Sequence, residues 1–277
     1  MSERTAAGGG KLTALVTGAS GGIGLELARL FAADGHELVL VARSEEKLAS
    51  LAAELNARHK ARARVIAADL ARAEAPREIF EGLRAEGVRV DALVNNAGIG
   101  SYGLFAETDL RAELDLLQIN VVALTHLTKL FLPAMIARRR GYVLNVASTA
   151  AFQPGPLMAV YYASKAYVLH LSEALSNETK GTGVTVTALC PGPTETGFVA
   201  AAGMGESKLF EANVMGAHAV AVEGYRGMLA GKAIVIPGVR NRLLAGSYRL
   251  APRGLITRVV RGIQESKESL KRRGVKD

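Results

Sequence analysis

Short apolar runs alternate with longer amphipathic stretches along most of this chain, and no other feature constrains the fold as much. The runs are continuous and rich in Val, Leu and Ala, which is typical of parallel strands buried on both faces. Repeated strand–helix alternation predicts a doubly wound α/β fold in one domain. We predict strands at 12–17, 37–42, 63–68, 91–96, 142–148, 184–190 and 233–237, and helices at 22–33, 45–58, 72–86, 109–138 and 161–180.

The charge of the chain is unevenly distributed. Residues 240–277 contain 11 Lys/Arg and 3 Asp/Glu and so account for the whole net charge of +8. Residues 1–239 are neutral, unlike a nucleic-acid-binding domain, whose positive charge lies across its binding face. We therefore predict a domain at 1–239, a basic C-terminal extension at 240–277 that is helical and part of the same domain, and no nucleic-acid partner.

Cysteine content and hydropathy bear on the cellular compartment. The single cysteine, Cys190, excludes an intrachain disulfide, which suits a reducing environment. The N-terminus lacks the basic-then-apolar pattern of a signal peptide. No uninterrupted apolar run approaches the roughly 20 residues that span a bilayer. The sequence thus predicts a cytoplasmic protein without an integral membrane segment.

Two glycine-containing motifs follow predicted strands. TGASGGIG at 17–24 opens the first predicted helix, where glycines let the backbone approach a pyrophosphate that the helix N-terminus attracts. A purely structural turn has the same composition, and the position after the first strand favours a dinucleotide. NNAG at 95–98 ends another strand, where carboxyl ends line the ligand crevice of such sheets. It is also an ordinary turn whose asparagine amides can tie neighbouring backbones together.

The end of the second predicted strand bears on the choice of cofactor. An acid about 20 residues after the glycine motif holds the ribose 2′-hydroxyl of NAD in such folds. This chain has Ala42 there, followed by Arg43 and Ser44. A guanidinium would pair with the 2′-phosphate of NADP. The alternative is a surface arginine at the start of a helix, and the missing acid weighs against it.

The segment YYASKAY at 161–167 places two tyrosines near Lys165. Residues three or four apart share a helix face, so spacing alone does not choose between Tyr161 and Tyr162. The apolar stripe favours Tyr161, which lies beside Lys165 on the flank of the stripe, whereas Tyr162 points nearly opposite Leu171. A nearby ammonium would lower the pKa of Tyr161 towards working pH, although such a pair is more often an ordinary helix surface. The stripe consists of Tyr167, Val168, Leu171, Ala174 and Leu175.

Together, TGASGGIG, NNAG, Ser148, YYASK and PGPTET at 191–196 resemble the short-chain dehydrogenase/reductase family, and their order and spacing fit from about residue 12 to residue 237. The resemblance implies a single Rossmann-type domain with a seven-stranded parallel sheet flanked by helices. It also implies an NADP(H)-dependent oxidoreductase that transfers a hydride between nicotinamide and a carbonyl or alcohol substrate. STAAFQPGP and VTALCPGPTETGF are similar to a bacterial subgroup related to hydroxysteroid dehydrogenases and 3-ketoacyl reductases.

The resemblance also assigns residue roles. Tyr161 would exchange a proton with the substrate oxygen, and Lys165 would hold the nicotinamide ribose and lower the tyrosine pKa. Ser148 would orient the substrate oxygen, although a serine at a strand end is also a common cap. Asn120 would hold a water of the proton relay, and Asp69 would contact adenine. Cofactor contacts are expected from Gly18, Ser20, Gly22, Ile23, Gly24, Arg43, Asp69, Asn95, Ala97, Gly98, Tyr161, Lys165, Pro191, Gly192, Thr194 and Thr196, and no metal site is expected.

The family pattern is not matched everywhere. Some members that prefer NADP carry a basic residue where this chain has Gly21, so Arg43 would supply most of that preference. The segment after about residue 240 is longer than the minimal family domain. A catalytically silent NADP(H)-binding sensor or scaffold is an alternative function. It would need only the glycine motif and Arg43, so the intact set of catalytic residues argues against it.

Two further segments bear on substrate and partners. The loop at 194–216 predicts an apolar small-molecule substrate, such as a ketone, a steroid-like molecule or an acyl chain. A stripe within the tail predicts a helix packed on its own domain or on a second subunit of a homo-dimer or homo-tetramer. The alternative is a basic helix that docks the enzyme on an anionic membrane surface. The loop residues are Phe198, Val199, Met204, Leu209, Phe210 and Met215, and the tail residues are Leu255, Ile256, Val259, Val260 and Ile263.

Overall fold

The computed structural model describes residues 10–197, 214–248 and 252–265. Its seven main strands are β1 (Thr13–Thr17), β2 (Glu37–Ala42), β3 (Ala63–Ala67), β4 (Ala92–Asn95), β5 (Gly141–Val146), β6 (Val184–Leu189) and β9 (Ile234–Val235). They form one parallel sheet in the order β3-β2-β1-β4-β5-β6-β9. This confirms the predicted seven-stranded parallel sheet, with strand ends shifted by up to two residues. Two short strands, β7 (Thr194–Glu195) and β8 (Met215–Gly216), pair separately.

Helices cover both faces of the sheet. Because successive strand side chains point to opposite faces, Ala14 and Val16 enter one core and Leu15 enters the other. The helices are α1 (Gly22–Ala33), α2 (Glu45–His59), α3 (Ala75–Ala85), α4 (Leu110–Leu117), α5 (Leu124–Ala137), α6 (Ala159–Glu178), α7 (Ala217–Leu229), α8 (Val239–Ser247) and α9 (Arg253–Gln264). The first core is covered by α1, α2 and α7, and the second by α3, α5 and α6.

The strand order places a crevice between β1 and β4. The chain runs outward from β1 to β3 on one side and from β4 to β9 on the other, so the order reverses between these two neighbours. Open parallel sheets bind ligands outside the carboxyl ends of their strands at such a point. Thr17 and Asn95 end the two strands there, and both belong to motifs singled out in the sequence.

The longest helical segment is interrupted by a π-helical turn. α4 continues through the turn Gln118–Ala123 into α5, which gives 28 continuous residues, Leu110–Ala137. Within the described ranges it is the one helix long and apolar enough to cross a membrane by length and composition alone, a test that core helices also pass. Leu127, Phe131 and Met135 are buried against the sheet, as in a core helix.

The C-terminal segment forms two helices, and α9 packs on the domain that precedes it. Ile256 and Val260 are buried in a small apolar cluster. Leu255, Val259 and Ile263 from the same predicted stripe remain exposed. The predicted amphipathic helix is therefore present, and two of the five residues of its apolar stripe face its own domain. Contact of the three exposed residues with a second subunit or with anionic lipid stays a prediction, as does the boundary at residue 240.

The predicted loop at 194–216 lies largely outside the described residues. Its described ends are joined because β7 pairs with β8. Met215 is half-buried and packs against the core under α1 and α7. The other apolar residues expected to meet the substrate, Phe198, Val199, Met204, Leu209 and Phe210, fall within 198–213.

Candidate active site

The glycine-rich turn between β1 and α1 has a backbone that side chains would not permit. Gly18 and Gly22 have φ values of 65° and 55°, in the left-handed region that favours glycine. A Cβ on Gly24 would lie 2.3 Å from Asn96 Nδ2 and 2.4 Å from Gly18 O. The turn leads into the N-terminus of α1 and has glycine at the positions where a side chain would collide with its neighbours. It therefore fits a pyrophosphate, which helix N-termini attract.

Asn96, which the sequence reasoning did not single out, fixes this turn from β4. Its Nδ2 donates to Thr17 O at 2.9 Å and to Gly18 O at 3.2 Å. Its backbone N–H and that of Ala97 donate to Thr17 Oγ1, both at 3.0 Å, and Thr17 Oγ1 donates to Val94 O at 3.2 Å. The NNAG motif thus ties two backbones together, as expected of its amides.

Asn95 faces the opposite way, into the core. Its Nδ2 donates to Thr128 Oγ1 at 3.0 Å and to Asn145 Oδ1 at 2.9 Å. Asn145 in turn donates to Ser172 Oγ at 2.9 Å. This buried network joins β4 and β5 to α5 and α6. The Asn95 side chain is occupied in the interior, and its contact with a cofactor stays a prediction.

Ser148 and Tyr161 meet beyond the carboxyl end of β5. Their hydroxyls are hydrogen-bonded. Ser148 Oγ also accepts the N–H of Ala150 at 3.1 Å, so it caps the short turn Thr149–Phe152 as well. Burial raises the pKa of Tyr161 to about 12, and the bond to Ser148 opposes that rise. Tyr161 therefore carries its proton at neutral pH.

Lys165 lies one helical turn further along α6 and is buried. Its Nζ donates to Val146 O at 2.9 Å and lies 5.8 Å from the centroid of the Tyr161 ring. Burial lowers the pKa of Lys165 to about 8. The expected lowering of the Tyr161 pKa is wrong. Burial raises that pKa because the phenolate would lose its hydration, and the hydrogen bond to Ser148 opposes the rise only in part.

Asn120 reaches the same place from the π-helical turn. Its Oδ1 accepts the N–H of Ile99 at 3.0 Å, and its Nδ2 donates to Ile99 O at 2.9 Å and to Ser164 Oγ at 3.1 Å. A Cβ on Gly98 would lie 3.2 Å from Asn120 Oδ1 and 3.3 Å from Lys165 Nζ. The bare backbone of Gly98 therefore leaves the amide and the ammonium beside one another. A water held by Asn120 stays a prediction.

Tyr161 and Tyr162 have different surroundings in the structure, but the apolar-stripe argument that favoured Tyr161 is wrong. Tyr162 does not point away from the protein: it is 6% exposed, and α9 covers it. Tyr167, assigned to the core stripe, is 40% exposed, and its hydroxyl lies 3.0 Å from Thr125 Oγ1. The error arises because α6 is covered on two sides, by the sheet and by a C-terminal helix. Only Tyr161 meets Ser148.

The positions expected to select the cofactor lie at the end of β2. Ala19 in the glycine turn donates its N–H to Val41 O at 3.2 Å, so the turn adjoins this strand end. Arg43 is exposed and makes no hydrogen bond or salt bridge to any described residue. Ser44 Oγ accepts the N–H of Lys47 at 3.4 Å and caps α2. The Arg43 guanidinium is thus available to an incoming phosphate.

The PGPTET segment connects the two halves of the site. Pro191 O accepts the N–H of Thr149 at 2.8 Å, next to Ser148. At the other end, a Cβ on Gly22 would lie 2.9 Å from Thr196 Cγ2, so Thr196 covers the glycine turn. The segment therefore spans from the Ser148 hydroxyl to the glycine-rich turn. Thr194 Oγ1 donates to Gly192 O at 2.9 Å and fixes the bend between them.

The remaining predicted residues have less specific surroundings. Ser20 and Ile23 are half-buried in the glycine turn and the first turn of α1. Asp69 follows β3, and its Oδ1 accepts the N–H of Ala71 at 3.0 Å. Their cofactor contacts stay predictions. Among the described residues there is no group of His, Cys, Asp and Glu arranged to hold a metal ion.

Comparisons with known proteins agree with this geometry. Residues 12–207 match the family model described as short chain dehydrogenase. A very-long-chain 3-oxoacyl-CoA reductase of Anas platyrhynchos is 38% identical over 185 residues, which are 64% of this chain and 58% of that protein. The match therefore spans less than two thirds of that relative.

Solved structures with the same architecture include complexes with either nicotinamide cofactor. A short-chain dehydrogenase from Sphingobium yanoikuyae in complex with NADPH is 32% identical, with a TM-score of 0.78 over 86% of this chain and 94% of that one. A short chain dehydrogenase/reductase from Burkholderia phymatum in complex with NAD is 25% identical, with a TM-score of 0.76 over 87% and 95%. A nicotinamide cofactor is thus supported, and the choice between its two forms is not.

Proposed function

The chain belongs to the short-chain dehydrogenase family, and we propose that it reduces the carbonyl group of an apolar 3-oxoacyl thioester or a related ketone with NADPH. Its membership supports an oxidoreductase that acts on a carbonyl or alcohol group. The observation that carries the proposal is the protonated hydroxyl of Tyr161, which is hydrogen-bonded to Ser148 and lies beside the buried amine of Lys165.

The site residues have complementary parts in such a reduction. The nicotinamide ring supplies the hydride when the cofactor is bound. Ser148 orients the substrate oxygen, and Tyr161 donates its proton to that oxygen as negative charge develops on it. The Lys165 ammonium stabilises the phenolate that remains, because an opposite charge favours the ionised form. Asn120 stands next to Lys165 at Gly98, where a water could return the proton.

An apolar substrate is supported by what surrounds Tyr161. The half-buried Tyr161 packs against a cluster that includes Met158, Tyr162, Ile256 and Val260, with Tyr102 at its edge. Apolar packing behind Tyr161 favours a hydrocarbon chain over a sugar beside it, because that packing provides few charged groups to replace the hydration of a sugar. The name of the Anas platyrhynchos relative suggests the head group of that chain, a 3-oxoacyl thioester.

A panel of carbonyl compounds tests the substrate class. We expect NADPH absorbance to fall with 3-oxoacyl-CoA esters, and kcat/KM to rise by at least about tenfold from short to long chains, since each buried methylene contributes about 0.8 kcal/mol. Acyl-CoA esters of the same length without the 3-oxo group are the control and should give no change. Faster reduction of polar ketoses than of any acyl or aryl ketone would contradict the proposed substrate.

Cofactor preference is a separate prediction. We expect the enzyme to use NADPH better than NADH by roughly one to two powers of ten, because a charge-assisted contact contributes about 1.5–3 kcal/mol. Arg43→Leu should weaken NADPH by that factor and leave NADH nearly unchanged. Ala42→Asp should weaken NADPH by repulsion and improve NADH through a ribose hydrogen bond.

The measurement is kcat/KM for both cofactors in the wild type and these variants. Lys47→Leu is the matched control, because Lys47 is also an exposed cation and lies in α2, the helix that begins after Arg43. Its cofactor preference should equal that of the wild type. Equal or better use of NADH by the wild type would show that Arg43 points into solvent.

Assembly and location remain proposals that rest on the sequence. A cytoplasmic location suits a chain with a single cysteine. A homo-dimer or homo-tetramer would bury the apolar side chains Leu255, Val259 and Ile263, which α9 leaves exposed. The same side chains, on a helix with basic neighbours, would also suit an anionic lipid surface.

A further inference from the structure

Gln264, the last residue of α9, joins two distant parts of the chain. Its side chain is fully buried, and its Nε2 donates to the hydroxyl of Tyr162 in α6. Its backbone carbonyl accepts the hydroxyl of Tyr102 at 2.6 Å. Tyr102 belongs to the segment that follows NNAG. One residue therefore ties the C-terminal helix both to the helix that carries Tyr161 and to the segment after β4.

These contacts lie directly beside the reactive tyrosine. The rings of Tyr161 and Tyr162 meet edge to face, with centroids 6.0 Å apart and planes at 75°. The inner side of α9 adds Ile256 and Val260 to the cluster on which Tyr161 packs. The position of α9 thus sets the position of the Tyr162 ring, and that ring supports the Tyr161 ring.

Burying the whole side chain of Gln264 at this position is energetically unfavourable. Its Oε1 is buried and has no hydrogen-bond partner among the described residues. An unpaired buried polar atom is destabilising because it has lost its hydration, and exchanging the two amide atoms would only leave the nitrogen unpaired instead. Leucine would fill similar space within an apolar cluster without that cost. Leucine would keep the backbone carbonyl that accepts from Tyr102, but it could not donate a side-chain hydrogen bond to Tyr162.

We propose that Gln264 is a positioning residue for the substrate side of the site, an inference that rests on the proposed function. Its two hydrogen bonds hold α9 against Tyr162 and Tyr102 and so fix the wall along which an apolar substrate lies next to Tyr161. The glycine turn and Arg43 belong to other elements, β1, α1 and the end of β2. Gln264 therefore governs the carbonyl substrate and leaves the cofactor untouched.

Two variants test this role kinetically. Gln264→Leu removes the side-chain bond, and Tyr102→Phe removes only the bond to the Gln264 carbonyl while it keeps the ring. Both should raise KM for a long-chain 3-oxoacyl-CoA by about tenfold, because each variant loses one hydrogen bond that holds α9 in place. KM for NADPH should stay within about twofold, and kcat should fall less than KM rises. Val259→Ala is the control on the exposed side of α9 and should change neither constant.

Hydrogen exchange tests the same role without any turnover, so a failure of the proposed function is distinguishable. In the cofactor-free protein, both variants should speed amide exchange in α9 by about tenfold or more and leave α1 and α7 unchanged. If Gln264→Leu does not fold, Tyr102→Phe still decides. Unchanged exchange in α9 would overturn the inference, and so would an equal rise in KM for substrate and cofactor.

Discussion

Tyr161→Phe is expected to reduce kcat by about 10²–10⁴-fold, because that is the usual loss when a general acid is removed and the Tyr161 hydroxyl is hydrogen-bonded to Ser148. NADPH affinity should stay within about twofold, since the ring and its packing are kept. The pKa of about 12 means that the wild-type hydroxyl holds its proton throughout the physiological range. The measurement is single-turnover reduction together with fluorescence titration of NADPH.

Tyr162→Phe is the matched control, since it makes the same change one residue away. The Tyr162 hydroxyl accepts a hydrogen bond from Gln264, and burial raises its pKa strongly. We expect kcat within a few-fold of the wild type, with any loss confined to KM for the carbonyl substrate. A dead Tyr162→Phe beside an active Tyr161→Phe would mean that the wrong tyrosine has been assigned.

Gly24→Ala is expected to weaken NADPH binding by about 10²-fold, because overpacking costs about 1–3 kcal/mol and each 1.4 kcal/mol is about tenfold in affinity. The new Cβ would lie 2.3 Å from Asn96 Nδ2 and 2.4 Å from Gly18 O, and one of these is backbone. The turn would have to move away from β4, and the phosphate site would move with it. The affinity is measured by fluorescence titration, with Tm recorded to confirm that the variant folds.

Gly21→Ala provides the comparison within the same turn. Gly21 is exposed, its φ of −177° is open to any residue, and a Cβ there meets nothing within 4 Å. Its NADPH affinity should remain within about threefold of the wild type, on the few-tenths-of-a-kcal/mol scale of surface substitutions. Equal loss in both variants would show that the turn needs flexibility at every glycine, and that Asn96 does not set its shape.

The sequence predicts the sheet and most helices well because apolar periodicity reports directly which residues are buried. All seven strands appear, and α1 has the predicted ends, Gly22 and Ala33. The same signal fails for α6, where it places Tyr167 in the core and Tyr162 outside. Periodicity shows that a helix has an apolar side, but it cannot show that α9 returns from about a hundred residues later to cover another side.

Two features of the site cannot be predicted from the sequence, whereas a third, the role of Asn96, could have been. The pKa of Tyr161 depends on burial in three dimensions, which outweighs the hydrogen bond to Ser148. The positioning role of Gln264 depends on its hydrogen bond to Tyr162, which lies 102 positions away in the sequence. The role of Asn96 could have been found, because alternation along β4 puts consecutive side chains on opposite faces. If Asn95 enters the core, Asn96 must face the glycine turn.

The central claim is that this chain moves a hydride from NADPH to a carbonyl carbon while Tyr161 provides the proton. The most direct test is incubation of a long-chain 3-oxoacyl-CoA with NADPH that is dideuterated at nicotinamide C4, followed by mass spectrometry of the product. We predict a 3-hydroxyacyl-CoA with one deuterium on the carbinol carbon, formed by the wild type and not by Tyr161→Phe. Tight NADPH binding without deuterium transfer to this thioester or to any ketone tested would contradict the account and favour a dinucleotide sensor.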